Sequence, residues 1–155
     1  MPQLHLGDLD LTSPAFEHGG AIPARHTAEG DDISPALQWV NVPEGALELV
    51  LVCHDPDAPL THGFTHWVLS GIRPDVGGLA EGAGSEYVEG VNDFGNPGYG
   101  GPAPPPGHGI HHYYFHLYAL DVELGAEPGL RPDELFARMD EHIIEQARLV
   151  GTFSR

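Results

Sequence analysis

His111-His112-Tyr113-Tyr114-Phe115-His116-Leu117-Tyr118-Ala119-Leu120 runs for ten residues without a glycine or proline. Its odd positions carry His111, Tyr113, Phe115, Leu117 and Ala119, and its even ones His112, Tyr114, His116, Tyr118 and Leu120. Aromatic residues throughout and a period of two predict a β-strand. Upstream, Leu47–His54 places Leu47, Leu49, Leu51 and Cys53 on one face and Val50 and Val52 on the other, as suits a central strand apolar on both sides. Phe64–Ser70 alternates Phe64, His66 and Val68 against Thr65, Trp67 and Leu69. Trp39 and Val40 belong to a further strand entered after Ser34-Pro35. Downstream, Pro132 at a first helical position, Asp133 and Glu134 behind it, and Leu135, Met139, Ile143 and Ala147 at helical spacing predict a helix. Arg148 falls in its last turn and Gly151 just beyond.

Glycine and proline make up 36 of the 155 residues and are spread along the whole chain, cutting it into short segments. No repeat or linker is visible, so residues 1–155 read as a single domain. The expected fold is mostly β: a two-sheet antiparallel β-sandwich with a C-terminal helix and long Gly/Pro-rich loops. With 41% apolar residues the chain has material for a core and is not compositionally disordered.

The charge balance excludes some functions. Asp and Glu number 23 against six basic residues, all arginine, giving a formal charge of −17. Such a surface repels nucleic-acid backbones and anionic membranes. The longest purely apolar run, Leu49–Cys53, is far short of the ~20 residues a membrane helix needs. No stable membrane insertion is expected. The start shows no basic-then-apolar leader, and the single Cys53 fits a reducing compartment, so a cytoplasmic location is expected.

Three segments carry chemistry. His54-Asp55-Pro56-Asp57-Ala58-Pro59 follows the central strand, its two carboxylates two residues apart on a proline-stiffened backbone; alone it reads as a capped turn. His66 shares a face with Phe64 and Val68, where a hydrogen-bonded core histidine is the default. Eleven of the fifteen residues of Gly95–Gly109 are glycine or proline. This loop is either a floppy connection offering a polyproline segment or a stiff turn whose amides cradle an anion. None of the three segments contains lysine or arginine, so an anion would depend on backbone N–H groups and histidine. Asp55 or Asp57 beside His66 or His111 would stabilise a protonated imidazole, and Tyr113 would add a hydroxyl donor.

Asp55-Pro56-Asp57-Ala58-Pro59, His66-Trp67 and Gly98–Phe115 together resemble the phosphatidylethanolamine-binding protein family in its bacterial and archaeal Raf-kinase-inhibitor-like branch. Ile22-Pro23, Ser34–Trp39, Asn92–Gly95 and Leu149–Arg155 extend the resemblance over nearly the whole chain. It implies a β-sandwich with a small pocket at one end for phosphate, phosphoethanolamine or other phosphoryl head groups, acetate or cacodylate. Asp55, Asp57, His66, His111 and Tyr113 would line that pocket. The Tyr99–Pro105 loop, with Gly101, Pro104 and Pro105, would close one side. Some members inhibit kinases or proteases, and microbial members pair as homodimers. The chain departs from the family in carrying His112 where arginine is usual and Ala103 where microbial relatives often have cysteine.

The competing reading is a metal enzyme using His62 and His66, or His108, His111, His112 and His116, with Asp55. Strand alternation puts His112 and His116 opposite His111, which counts against it. Cys53 and His54 are strand neighbours on opposite faces and form no nucleophile–base pair. A binding protein without cofactor, not an enzyme, is expected.

Overall fold

The computed structural model describes residues 7–155. Strands β1 (Asp10–Thr12), β2 (Leu37–Val40) and β5 (Gly78–Leu79) form a three-stranded sheet in the order β1-β2-β5. Strands β3 (Glu48–Asp55), β4 (Phe64–Ile72), β6 (Val88–Glu89), β7 (His111–Leu120) and β8 (Ile143–Phe153) form a second sheet in the order β6-β4-β3-β7-β8. Every strand pairing is antiparallel.

The expected two-sided burial of the central strand is what organises the layers. Leu49, Leu51 and Cys53 of β3 join Phe115, Leu117 and Ala119 of β7 and Leu11, Leu37, Trp39 and Leu79 of the small sheet in the main core. Val50 and Val52 face the other way. They pack with Val68, Leu120 and Leu130 under Leu135 and Met139 of helix α1 (Pro132–Met139). The molecule therefore has two apolar layers, one between the sheets and one under the helix. No helix among the described residues is long and apolar enough to cross a membrane.

The helix is half as long as its apolar spacing predicts. Its start is as expected: Pro132 in the first turn, and Glu134 accepting a hydrogen bond from the Arg131 N–H at 2.9 Å. It ends at Met139, and Ile143, Ala147 and Arg148 lie in β8. Positions 135, 139, 143 and 147 recur every four residues, but 143, 145, 147, 149 and 151 equally fit a period of two. All ten residues of β7 pair with β8. A helix continuing through 143–150 would leave that edge of β7 without partners, and satisfying buried backbone groups outweighs local helix preference.

The alternation expected of β4 also fails, for a local reason. Cys53 pairs with Trp67 and His54 with Thr65, so His66 is an extra residue, a β-bulge. Trp67 and Leu69 therefore join the main core, while Val68 lies under the helix. His66 is turned to the side of Phe64 and Asp55. A second irregularity follows at Ser70-Gly71, where Gly71 takes φ +73°.

The outer face of β7 carries a stack of Tyr114, His116 and Tyr118, with ring centroids 5.9 and 5.7 Å apart. Burial, helped by Arg148 and His54, pushes the His116 imidazole down to about 4, and its buried Nδ1 has no partner among the described residues. The unfolded chain therefore takes up this proton before the native state does. Stability contributed by neutral His116 is present above about pH 6.5 and is lost as pH falls towards 4. Urea midpoints of the wild type should drop across that window. His116→Phe should flatten much of the drop; an unchanged acid profile in the variant would contradict this assignment.

Candidate anion-binding site

The site forms where β3, β4 and β7 end together. At the end of β3, Asp55 is buried. Its Oδ1 accepts the Asp57 N–H at 2.7 Å, folding the Asp-Pro-Asp segment into an Asx turn. Its Oδ2 accepts the Nδ1–H of His111, the first residue of β7, at 2.6 Å. The chain returns to β4 through Gly63 at φ +65°, where a Cβ would run into the Asp55 carbonyl and the His54 ring. The bulge then aims His66 into the same corner, and its Nδ1 lies 2.7 Å from the Gly100 carbonyl. A carbonyl only accepts, so Nδ1 carries the hydrogen and the neutral ring presents a lone pair at Nε2.

These groups line a cavity of about 220 Å³, below the roughly 300–1,000 Å³ typical of pockets for drug-sized ligands. Asp55, His66, His111 and Tyr113 supply its polar atoms. Ala58, Pro59, Leu60, Phe64, Phe94, Ala103, Pro104 and Pro105 supply an apolar wall. Phe64 and Phe94 pack edge-on at 4.6 Å, and His66 sits 4.9 Å from Phe64 and 5.3 Å from Tyr113. Burial, with Asp55 nearby, drives the Tyr113 phenol well above its ordinary range, so it stands as a neutral O–H donor.

Of the nine residues singled out from the sequence, six line the cavity: Asp55, His66, Pro104, Pro105, His111 and Tyr113. Three do not. The Asp57 carboxylate turns outward and accepts both the backbone N–H and Nδ1 of His112, each at 2.7 Å. Tyr99 donates its hydroxyl to the His26 carbonyl at 2.6 Å and packs edge-on against Trp67, anchoring the loop from behind. Gly101 gives its N–H to Asp32 at 2.7 Å, and a Cβ there would collide with the His26 carbonyl. It is a close-packing glycine. The Gly100 amide is likewise taken, by the His66 carbonyl. With prolines at 102, 104 and 105, the loop is stiff but poor in free amides.

The electrostatics also differ from the sequence expectation. Burial lowers the His66 pKa, outweighing the Gly100 carbonyl and Asp55, which act to raise it. Burial therefore holds His66 neutral, while Asp55 engages His111, one of the pairings expected from the sequence. Sequence reasoning also passed over Phe64 and Phe94 as pocket walls, and it offered His108 only as a metal ligand, whereas its Nδ1 lies 2.6 Å from His111 Nε2. Only the Phe64/His66 spacing on one strand hinted at the first of these.

Three of the histidines proposed as metal ligands, His62, His112 and His116, lie away from the pocket. His62 lines a different cavity of about 730 Å³ with His54, Thr65, Asp93 and Arg131. His112 and His116 lie on the outer side of β7. Among the described residues no group of three His, Cys, Asp or Glu side chains is placed to hold a metal ion.

A two-sheet antiparallel sandwich with a small pocket at its end, walled by a proline-rich loop, is the class that fold and site define. The family model for phosphatidylethanolamine-binding protein matches residues 12–154. A UPF0098 protein of Methanothermobacter thermautotrophicus is 43% identical over 95% of this chain and 99% of its own. Two solved structures are also similar. A phosphatidylethanolamine-binding protein homologue from Chlamydia trachomatis has a TM-score of 0.88 at 42% identity, covering 95% of this chain and 97% of its own. E. coli YbcL, described as a new member of the mammalian family, has a TM-score of 0.91 at 29% identity, covering 96% and 99%. The chain belongs to the phosphatidylethanolamine-binding protein family.

Proposed function

We propose that this chain is a binding module for one small phosphoryl or carboxylate anion, taken into the end pocket together with a proton. The observation that carries the reading is the pairing of His66, whose Nδ1 is held by the Gly100 carbonyl, with Tyr113 in a small cavity that Asp55 and His111 also line and whose remaining wall is apolar. The neutral imidazole accepts a proton at Nε2 and then donates to an anion oxygen. The anion in turn supplies a charge partner that offsets the burial of His66. Binding instead of turnover is favoured by the state of the nucleophiles. Burial holds the Cys53 thiol well above its usual range, and Tyr113 stays protonated.

Sulfate serves as probe, since its own charge is constant around neutrality. Its affinity, in the millimolar to micromolar range of roughly −4 to −8 kcal/mol, should fall at least ~10-fold per pH unit above the His66 titration. Calorimetric titration across that range tests this. A flat profile would contradict proton uptake, and an absence of sulfate and phosphate binding would contradict the reading altogether.

A further inference from the structure

We propose that His108 is a displaceable plug, a side chain of the protein that occupies Nε2 of the pocket-lining His111 until an anion replaces it; this rests on the anion-binding reading above. His111 lines the pocket, yet neither of its ring nitrogens is free. Nδ1–H is held by Asp55 and Nε2 by His108 Nδ1, both at 2.6 Å. Two imidazole nitrogens at that distance need one hydrogen between them: two lone pairs repel, and so do two N–H groups. Because the Asp55 carboxylate fixes the hydrogen of His111 at Nδ1, a neutral His111 accepts at Nε2 and His108 donates from its own Nδ1. An anion needs the reverse, a donor at His111 Nε2. It gains one only if His111 takes up a proton there and His108 leaves.

The surroundings of His108 suit movement. It sits between Gly107 at φ +75° and Gly109 at φ +90°, and a Cβ on either glycine would meet open space. The residue is exposed, although its ring lies 4.9 Å from that of His111. Its turn is held by two backbone bonds, His108 N–H to Pro105 and Gly107 N–H to Arg155. His111, by contrast, is buried and locked to Asp55. The titratable groups around the pair are Asp55 and Asp57 on the β3 side, His66 on β4, His112 and Tyr113 on β7, and Arg155 at the chain end. Asp55 alone of these bonds to either ring. Displacing His108 therefore breaks one hydrogen bond and leaves the frame of the pocket intact.

The test measures inorganic phosphate affinity of the full chain and of His108→Ala, with ring-nitrogen NMR of the histidines. His108→Ala should bind phosphate about five- to tenfold more tightly, the equivalent of one net hydrogen bond. In the wild type, phosphate should move the His108 ring signals towards those of a solvated histidine. Equal affinities with His66 responding and His108 unmoved would overturn the plug while leaving the anion site standing. Weaker binding by His108→Ala would make His108 a ligand contact and overturn it equally. If neither protein bound phosphate, the anion site and the plug would fall together.

Discussion

Replacing His66 with phenylalanine is expected to weaken phosphate binding by about 10- to 100-fold, the ~1.5–3 kcal/mol contributed by a hydrogen bond to a charged group. Phenylalanine keeps a flat ring among Phe64, Phe94 and Tyr113, whose centroids surround His66 at 4.9 to 5.5 Å, so the pocket wall survives. What disappears with the imidazole is Nε2, the ring nitrogen that the Gly100 carbonyl does not hold. The Gly100 carbonyl loses its partner as well, at a cost of about 1–3 kcal/mol in stability, which thermal melting will register separately from affinity. The part of the pH dependence due to proton uptake at His66 should be lost with the residue. A variant that binds phosphate as the wild type does, with the same pH profile, would remove His66 from the site.

The second large effect concerns stability. Asp55→Ala should cost about 3–5 kcal/mol, since two hydrogen bonds to a buried carboxylate, at ~1.5–3 kcal/mol each, are lost together. For a domain of this length that corresponds to a Tm lower by roughly 6–20 °C. Asp55 accepts two hydrogen bonds, from Asp57 N–H and His111 Nδ1–H, and both side chains of the His111 pair are 4% exposed. The substitution strands a buried imidazole N–H and frees the turn. Asp57, two residues on, makes an equally short contact to His112, but those side chains are 39% and 47% exposed. Water and salt screen that pair, so Asp57→Ala should cost less than about 1 kcal/mol. Urea unfolding of the two variants separates the roles of two carboxylates that look equivalent in the chain. Similar losses from both would contradict the division between a buried pocket acid and an exposed clamp.

What was legible beforehand follows from physical scale. The alternation of His111–Leu120 and the two-faced Leu47–His54 run are local patterns; the first strand stands as read, and the second is shifted by one residue to Glu48–Asp55, which leaves Leu47 outside it and exposed. Four of the pocket's polar groups were legible because they cluster beside those strands and within recognisable motifs. The β8 segment was not, since Ile143 and Ala147 satisfy helical and strand spacing alike and only the need of β7 for a partner decides between them. The bulge at His66 is set by pairing with β3, which no single segment reveals. The outward turn of Asp57 depends on His112 being free to receive it, and the neutrality of His66 on how deeply the assembled pocket buries it. Charge near an imidazole was visible in the sequence; the burial that outweighs it was not.

The central claim is that an anion enters this pocket on His66 and brings a proton with it. Ring-nitrogen NMR of His66 near neutral pH, before and after saturation with sulfate, reads both halves of that claim at one atom. The prediction is an unprotonated Nε2 in the free protein that becomes protonated and hydrogen-bonded in the complex. A His66 Nε2 that is already protonated in the free protein, or that stays unprotonated when sulfate is bound, would contradict it.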